Sequence, residues 1–198
     1  MPWGARQRSL TVVDALFGGS FDPVHVAHLI VAEAAADALG ARVRFLPARE
    51  QPFKRAAHVA TPEQRAAMLD LAVRGNPRFA VERIELGLPT PSFTVATLRA
   101  LAAREPGNRF TLLLGADAAR DLASWHQVDA LPGLADVVVV ARPGAVVPAL
   151  HLVGRVVDVP AMDVSATAVR ARVARGQSVR YLVPDAVCDY ITAHGLYR

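Results

Sequence analysis

The chain has 198 residues, 53% hydrophobic and 20% charged, which supports one packed domain and excludes a predominantly disordered chain. Its 22 basic and 18 acidic residues leave a net charge of +4, suited to small phosphate-bearing partners and too weak to argue for a nucleic-acid-binding protein. No apolar run approaches the roughly 18–20 residues of a membrane helix, no export signal precedes the first apolar run, and the single cysteine, Cys188, excludes an internal disulfide framework or a cysteine-cluster metal site; a cytoplasmic protein is the expectation.

Residues 1–9 read as an N-terminal tail and 10–198 as one domain, with no repeat or long linker. Leu10–Phe17 is a β-branched apolar run ending at Gly18-Gly19, and the alanine-rich His25–Leu39 is a helix closed by Gly40. Arg42–Leu46 is a short strand stopped by Pro47. Thr61-Pro62-Glu63-Gln64 opens a helix, with Thr61 as N-cap, Pro62 at the first helical position and Gln64 completing a capping box. Phe79–Ile84 reads as a strand and Phe93–Ala103 as a helix. Phe110–Leu114 and Val137–Ala141 are continuous apolar runs of the kind central parallel strands carry, and Val153–Val159 is a further strand. Helices at 165–175 and 184–194 follow. This alternation predicts an α/β fold, a doubly wound parallel sheet, whose ligands sit beyond the carboxyl ends of its strands. The loops after Leu16, Leu46, Leu114 and Val159 are therefore where chemistry is expected.

The first of these reads Gly18-Gly19-Ser20-Phe21-Asp22-Pro23-Val24-His25-Val26-Ala27-His28. Two glycines admit close approach of a bound group, and the N-terminus of the following helix favours phosphate. His25 and His28, three apart, share one side of the first turn. They can donate hydrogen bonds to phosphate oxygens; metal binding and a capping or core role are the other readings, although no nearby Cys, Glu or third His completes a metal site. The loop is neither the three-glycine dinucleotide fingerprint nor a Walker loop. Lys54 is the only lysine, every other basic residue being arginine. Either this is chance, or a compact point charge is wanted there in place of a planar fork.

Gly18-Gly19-Ser20-Phe21-Asp22-Pro23 with His25-x-x-His28 resembles the signature of the nucleotidyltransferase superfamily. Further blocks narrow the resemblance to bacterial nicotinate-nucleotide adenylyltransferases. These are Leu46-Pro47 through Pro52-Phe53-Lys54, then Thr61–Val73 with Arg65 and Met68-Leu69. Pro91-Ser92-Phe93-Thr94 with Thr97-Leu98, Leu114-Gly115-Ala116-Asp117 with Trp125, Arg142-Pro143-Gly144, Val164–Arg170 and the stretch from Gly176 to Arg198 complete the set. One departure stands out: Ala27 occupies the position where the family usually has glycine, adding a methyl group at the junction of loop and helix.

The resemblance implies a single-domain, Rossmann-like fold and transfer of an adenylyl group from ATP to nicotinate mononucleotide. It implies that His25, His28 and Lys54 act on the reacting phosphates. Gly18, Gly19, Ser20, Phe21, Ser165, Thr167 and Arg170 would bind the ATP phosphates, with Mg²⁺ carried on the phosphates and no metal ligand from the protein. Thr94, Asp117, Trp125, His126 and Arg142 would bind the acceptor. Trp125 is either a stacking platform for the pyridine ring or a core residue. Asp117 accepts from ribose hydroxyls, caps the helix through Leu122, or does both. Thr94 and His126 would offer backbone N–H groups to the carboxylate, and Arg142 reaches a phosphate, packs on adenine, or is a surface residue. His58, His151 and His194 read as surface residues, and Cys188 as core. A homo-oligomer is compatible with this reading. Rival readings are an adenylyltransferase for phosphopantetheine or nicotinamide mononucleotide, and a non-catalytic nucleotide-binding module.

Overall fold

The structure, a computed structural model, describes residues 13–52, 58–142, 144–149 and 151–198. Six strands form one sheet: β1 (Val13–Gly19), β2 (Ala41–Pro47), β3 (Phe79–Val81), β4 (Phe110–Gly115), β5 (Ala135–Ala141) and β6 (Val153–Asp158). Their order is β3-β2-β1-β4-β5-β6, all parallel. The direction of winding reverses between β1 and β4, so the crevice beyond their carboxyl ends is the place for a ligand.

Helices cover both faces: α1 (Val26–Leu39), α2 (Pro62–Val73), α3 (Ile84–Gly87), α4 (Thr94–Arg104), α5 (Ala116–Arg120), α6 (Ala166–Ala174) and α7 (Asp185–Ala193). Period-2 alternation divides the strand side chains between two cores. Ala15, Val43, Phe45, Leu113, Val138 and Val140 pack with residues of α1, α2, α6 and α7. Leu16, Leu46, Leu112, Leu114 and Val137 pack with Val95, Leu98 and Leu101 of α4. Where the expected strand 10–17 falls on described residues it starts at Val13 and runs on through both glycines, because pairing with β2 continues to Gly19 opposite Pro47.

The expected strand 79–84 is shorter. After Val81 the Glu82 carboxylate accepts from the Ile84 N–H at 3.0 Å and pairs with Arg44 and Arg104, which turns the chain into α3. Arg44, 8% exposed, also meets Glu105 at 2.7 and 2.9 Å and Asp14 at 3.3 Å. This paired-charge cluster ties β1 and β2 to the turn after β3 and to the residue that follows α4. No helix among the described residues is long and apolar enough to cross a membrane.

Candidate active site

The loop from β1 to α1 is shaped by its aromatic residue. Phe21 adopts φ +49° and lays its ring against Gly19, where a Cβ would come within 3.0 Å of it. Any larger residue at Gly19 would have to push that ring aside. Phe21 also packs edge-on against His28, with ring centroids 5.0 Å apart.

His25 is the N-cap of α1, and its ring stacks on His28 at 3.7 Å. The His25 N–H donates to His28 Nδ1 at 3.2 Å. With Nδ1 accepting, a neutral His28 carries its proton on Nε2. Burial holds His25 down at about 4 and His28 well below the ordinary histidine value, the neighbouring His25 adding to the effect. Near neutral pH both rings are uncharged, each with one N–H to donate. His25 Nδ1 is buried without a hydrogen-bond partner among the described residues.

The helix N-terminus itself is less open than the sequence suggests. The Val26 N–H is taken by Leu182 O at 2.9 Å and the His28 N–H by His25 O at 3.0 Å. The imidazoles, more than free backbone amides, are what this turn offers to an anion. Among the described residues no three His, Cys, Asp or Glu side chains are grouped to hold a metal ion.

Beside the loop, over the ends of β1 and β4, lies a cleft of about 410 Å³. Gly18 and Gly19 line it together with Thr94, Asp117, Trp125 and His126. Thr94 opens α4, where a first-turn N–H has no partner within the helix. The His126 ring stacks on Phe93 at 4.3 Å, and Trp125 is half-buried against the α4-side core.

The cytidylyltransferase-like family model matches residues 16–172. A protein of Roseiflexus castenholzii named a probable nicotinate-nucleotide adenylyltransferase is 46% identical over 194 residues, covering 92% of this chain and 96% of its own. A namesake from Thermus thermophilus is 45% identical over 184 residues, with 92% and 98% covered. The chain belongs to the nicotinate-nucleotide adenylyltransferase family. A solved structure with the same fold is the Plasmodium falciparum nicotinic acid mononucleotide adenylyltransferase complexed with NaAD, at TM-score 0.76 and 16% identity over 94% of this chain and 97% of that one.

In this adenylyltransferase the expected helix cap at Ser165 also forms. Ser165 caps α6 by accepting from the Ala168 N–H at 3.2 Å. Arg170 is partly committed elsewhere, donating to Asp22 O at 2.7 Å and to Thr167 Oγ1 at 3.3 Å, so it braces the loop between β1 and α1. Asp117 does not cap its helix. Gly115 is the N-cap, and the exposed Asp117 carboxylate pairs with Arg120. Arg142 sits exposed just past β5 and is not among the residues lining the cleft. Lys54 lies outside the described residues, between Pro52, which follows the cleft-lining Gln51, and His58.

Three supports escape a reading of the sequence. Arg65 is fully buried and donates to four carbonyls: Ser20 and Ala48 at 2.7 Å, Arg49 at 3.2 Å and Ala60 at 3.3 Å. Asp22, 2% exposed, accepts from Val59 N–H at 2.8 Å, Ala60 N–H at 3.2 Å and the Tyr197 hydroxyl at 2.7 Å. His58, expected at the surface, is half-buried with Nε2 3.0 Å from Ser20 Oγ. Arg65 could have been flagged by its place on the apolar stripe with Met68 and Leu69; the other two had no local signal.

Proposed function

We propose that this chain joins ATP to nicotinate mononucleotide, giving deamido-NAD and pyrophosphate. The observation that carries the reading is that the glycines of the phosphate loop and the acceptor-side residues Thr94, Trp125 and His126 line one cleft. An oxygen of the acceptor 5′-phosphate attacks the α-phosphorus of ATP, and the bond to the bridging oxygen of the β-phosphate breaks as pyrophosphate leaves. The nucleophile is already an anion, so catalysis consists of orientation and charge neutralisation.

ATP enters as its Mg²⁺ complex, with the ion on the phosphates. His25 and His28, neutral before binding, donate one N–H each to the triphosphate. Lys54 adds a movable positive charge, and the α6 N-terminus with Ser165, Thr167 and the remaining donors of Arg170 receives the outgoing phosphates. On the acceptor side Trp125 stacks on the pyridine ring, Asp117 takes the ribose hydroxyls, and the Thr94 and His126 amides bind the carboxylate.

Two backbone N–H donors suit a carboxylate, whereas a carboxamide brings a third donor to the same place. An unpaired buried group costs about 1–3 kcal/mol, and donor–donor repulsion adds to it, while hydrogen-bonding sites discriminate up to about 10⁴–10⁵-fold. At saturating ATP and Mg²⁺, kcat/KM for nicotinate mononucleotide is expected to exceed that for the amide at least about a hundredfold. Equal efficiency, or preference for the amide or for phosphopantetheine, would overturn the acceptor assignment. Absence of pyrophosphate release with every acceptor would favour a non-catalytic nucleotide-binding module.

A further inference from the structure

Glu85 lines the acceptor cleft and is only 8% exposed, yet the transfer step makes no use of it. Its Oε1 accepts from Thr97 Oγ1 at 2.9 Å, and the Ser92 hydroxyl reaches the same carboxylate. Ser92 is itself saturated. Its Oγ accepts from the backbone N–H of Arg49 at 3.1 Å and of Glu50 at 3.3 Å. A hydroxyl has one proton and two lone pairs, so with both lone pairs engaged the Ser92 proton is left for the neighbouring Glu85 carboxylate. Two hydroxyls thus face one buried acid, and its carboxylate form accepts from both without bringing a donor of its own. A second strap, Ser92 N–H to Glu50 O at 2.8 Å, runs beside this chain of bonds.

The groups tied together are the two walls of the cleft. Ala48 and Gln51 belong to the loop after β2, while Phe93, Thr94 and Val95 belong to the start of α4. We propose that Glu85 is a positioning residue for the acceptor: its carboxylate holds Ser92 and Thr97, and through Ser92 the β2 loop, at the spacing that presents the Thr94 amide to the acceptor carboxylate. This rests on the reading of the cleft as the nicotinate mononucleotide site. Burial raises the Glu85 pKa above the ordinary carboxylate value, opposed in part by the hydroxyls of Thr97 on α4 and of Ser92 before it and by Arg65 on α2, the charged side chain that acts on it. Protonation would add a donor where two already point, so acid loosens the acceptor wall.

The test is steady-state kinetics of Glu85→Gln against the parent enzyme, with each substrate varied in turn. The amide is isosteric but offers only one accepting oxygen. At pH 7.5 the KM for nicotinate mononucleotide is expected to rise about tenfold, the scale of one mispaired buried group, with the KM for ATP within about twofold. The ratio of acceptor KM values, variant to parent, should shrink as pH falls, because the parent then acquires the same extra donor. Taking the ratio cancels titration of the substrate phosphate. An unchanged acceptor KM, or an equal loss on both substrates, would overturn the proposal. If Glu85→Gln does not fold, Thr97→Val removes one donor at constant volume, and a rise of about threefold confined to the acceptor KM is expected; no such rise would overturn the proposal equally. Failure of the parent enzyme to use nicotinate mononucleotide would instead refute the assignment of the cleft.

Discussion

Arg65→Lys keeps the charge at a fully buried position and removes the fork that carries it. Nη1 of Arg65 reaches Ser20 O and Nη2 reaches Ala48 O, both at 2.7 Å, and Nε points to Ala60 O. An ammonium is one nitrogen on a thinner stem. It can keep one of the two short bonds but cannot span both carbonyls. At least one buried carbonyl then goes unpaired at about 1–3 kcal/mol, and the weaker bonds to Arg49 and Ala60 loosen too. A loss of about 2–4 kcal/mol follows, a large part of the roughly 5–15 kcal/mol typical of a whole domain. Because Ser20 belongs to the loop proposed to bind the ATP phosphates, the KM for ATP should rise with it. Urea unfolding at pH 7.5 measures the first effect, with an unchanged m-value required for a clean reading. Arg78→Lys is the control. Arg78 pairs with Glu33 and Asp37 at the surface, 38% exposed, and its replacement should cost under about 0.5 kcal/mol. If Arg65→Lys were equally mild, the carbonyl bonds would not be what holds these loops.

His28→Ala should lower kcat by about 10²–10³ while the protein stays folded, the scale of removing one preorganised donor; near-normal turnover would end the phosphate role of this residue. Stability should also fall with pH through His25. Above its unfolded value of 6.5 both states are neutral, and from 6.5 down to about 4 the unfolded chain takes up a proton that the folded chain refuses. The full effect is about 3 kcal/mol and flattens below pH 4. Urea midpoints for the parent and His25→Asn should therefore converge as pH falls through that window, and parallel curves would show that His25 does not carry the dependence.

Features set by neighbours in the chain are legible in the amino-acid sequence alone. The Thr61–Gln64 capping box forms as read, with Gln64 N–H to Thr61 Oγ1 at 3.2 Å and Thr61 N–H to Gln64 Oε1 at 2.9 Å. The Ser165 cap and the β4 and β5 runs are local in the same sense. Motif order is enough to place Thr94, Trp125 and His126 on one side of the crevice. The features that escape such a reading depend on partners far along the chain. The inward aim of Arg65 needs Ser20, 45 positions away. The turn at Glu82 needs Arg44, 38 positions away. The neutral state of the histidine pair comes from burial, which spacing alone does not disclose.

The bond between Asp22 and Tyr197 joins positions 175 apart. Asp22 leaves a ribosome well before Tyr197 is made. At about 5–20 residues per second, that interval lasts on the order of 10–30 s. The sheet order makes the delay selective: β1 can pair with β2 early, since its partner follows directly after α1. Asp22, in the loop after β1, waits for a partner 175 positions later. The loop after β1 therefore gains this restraint only after the strands beneath it can already pair.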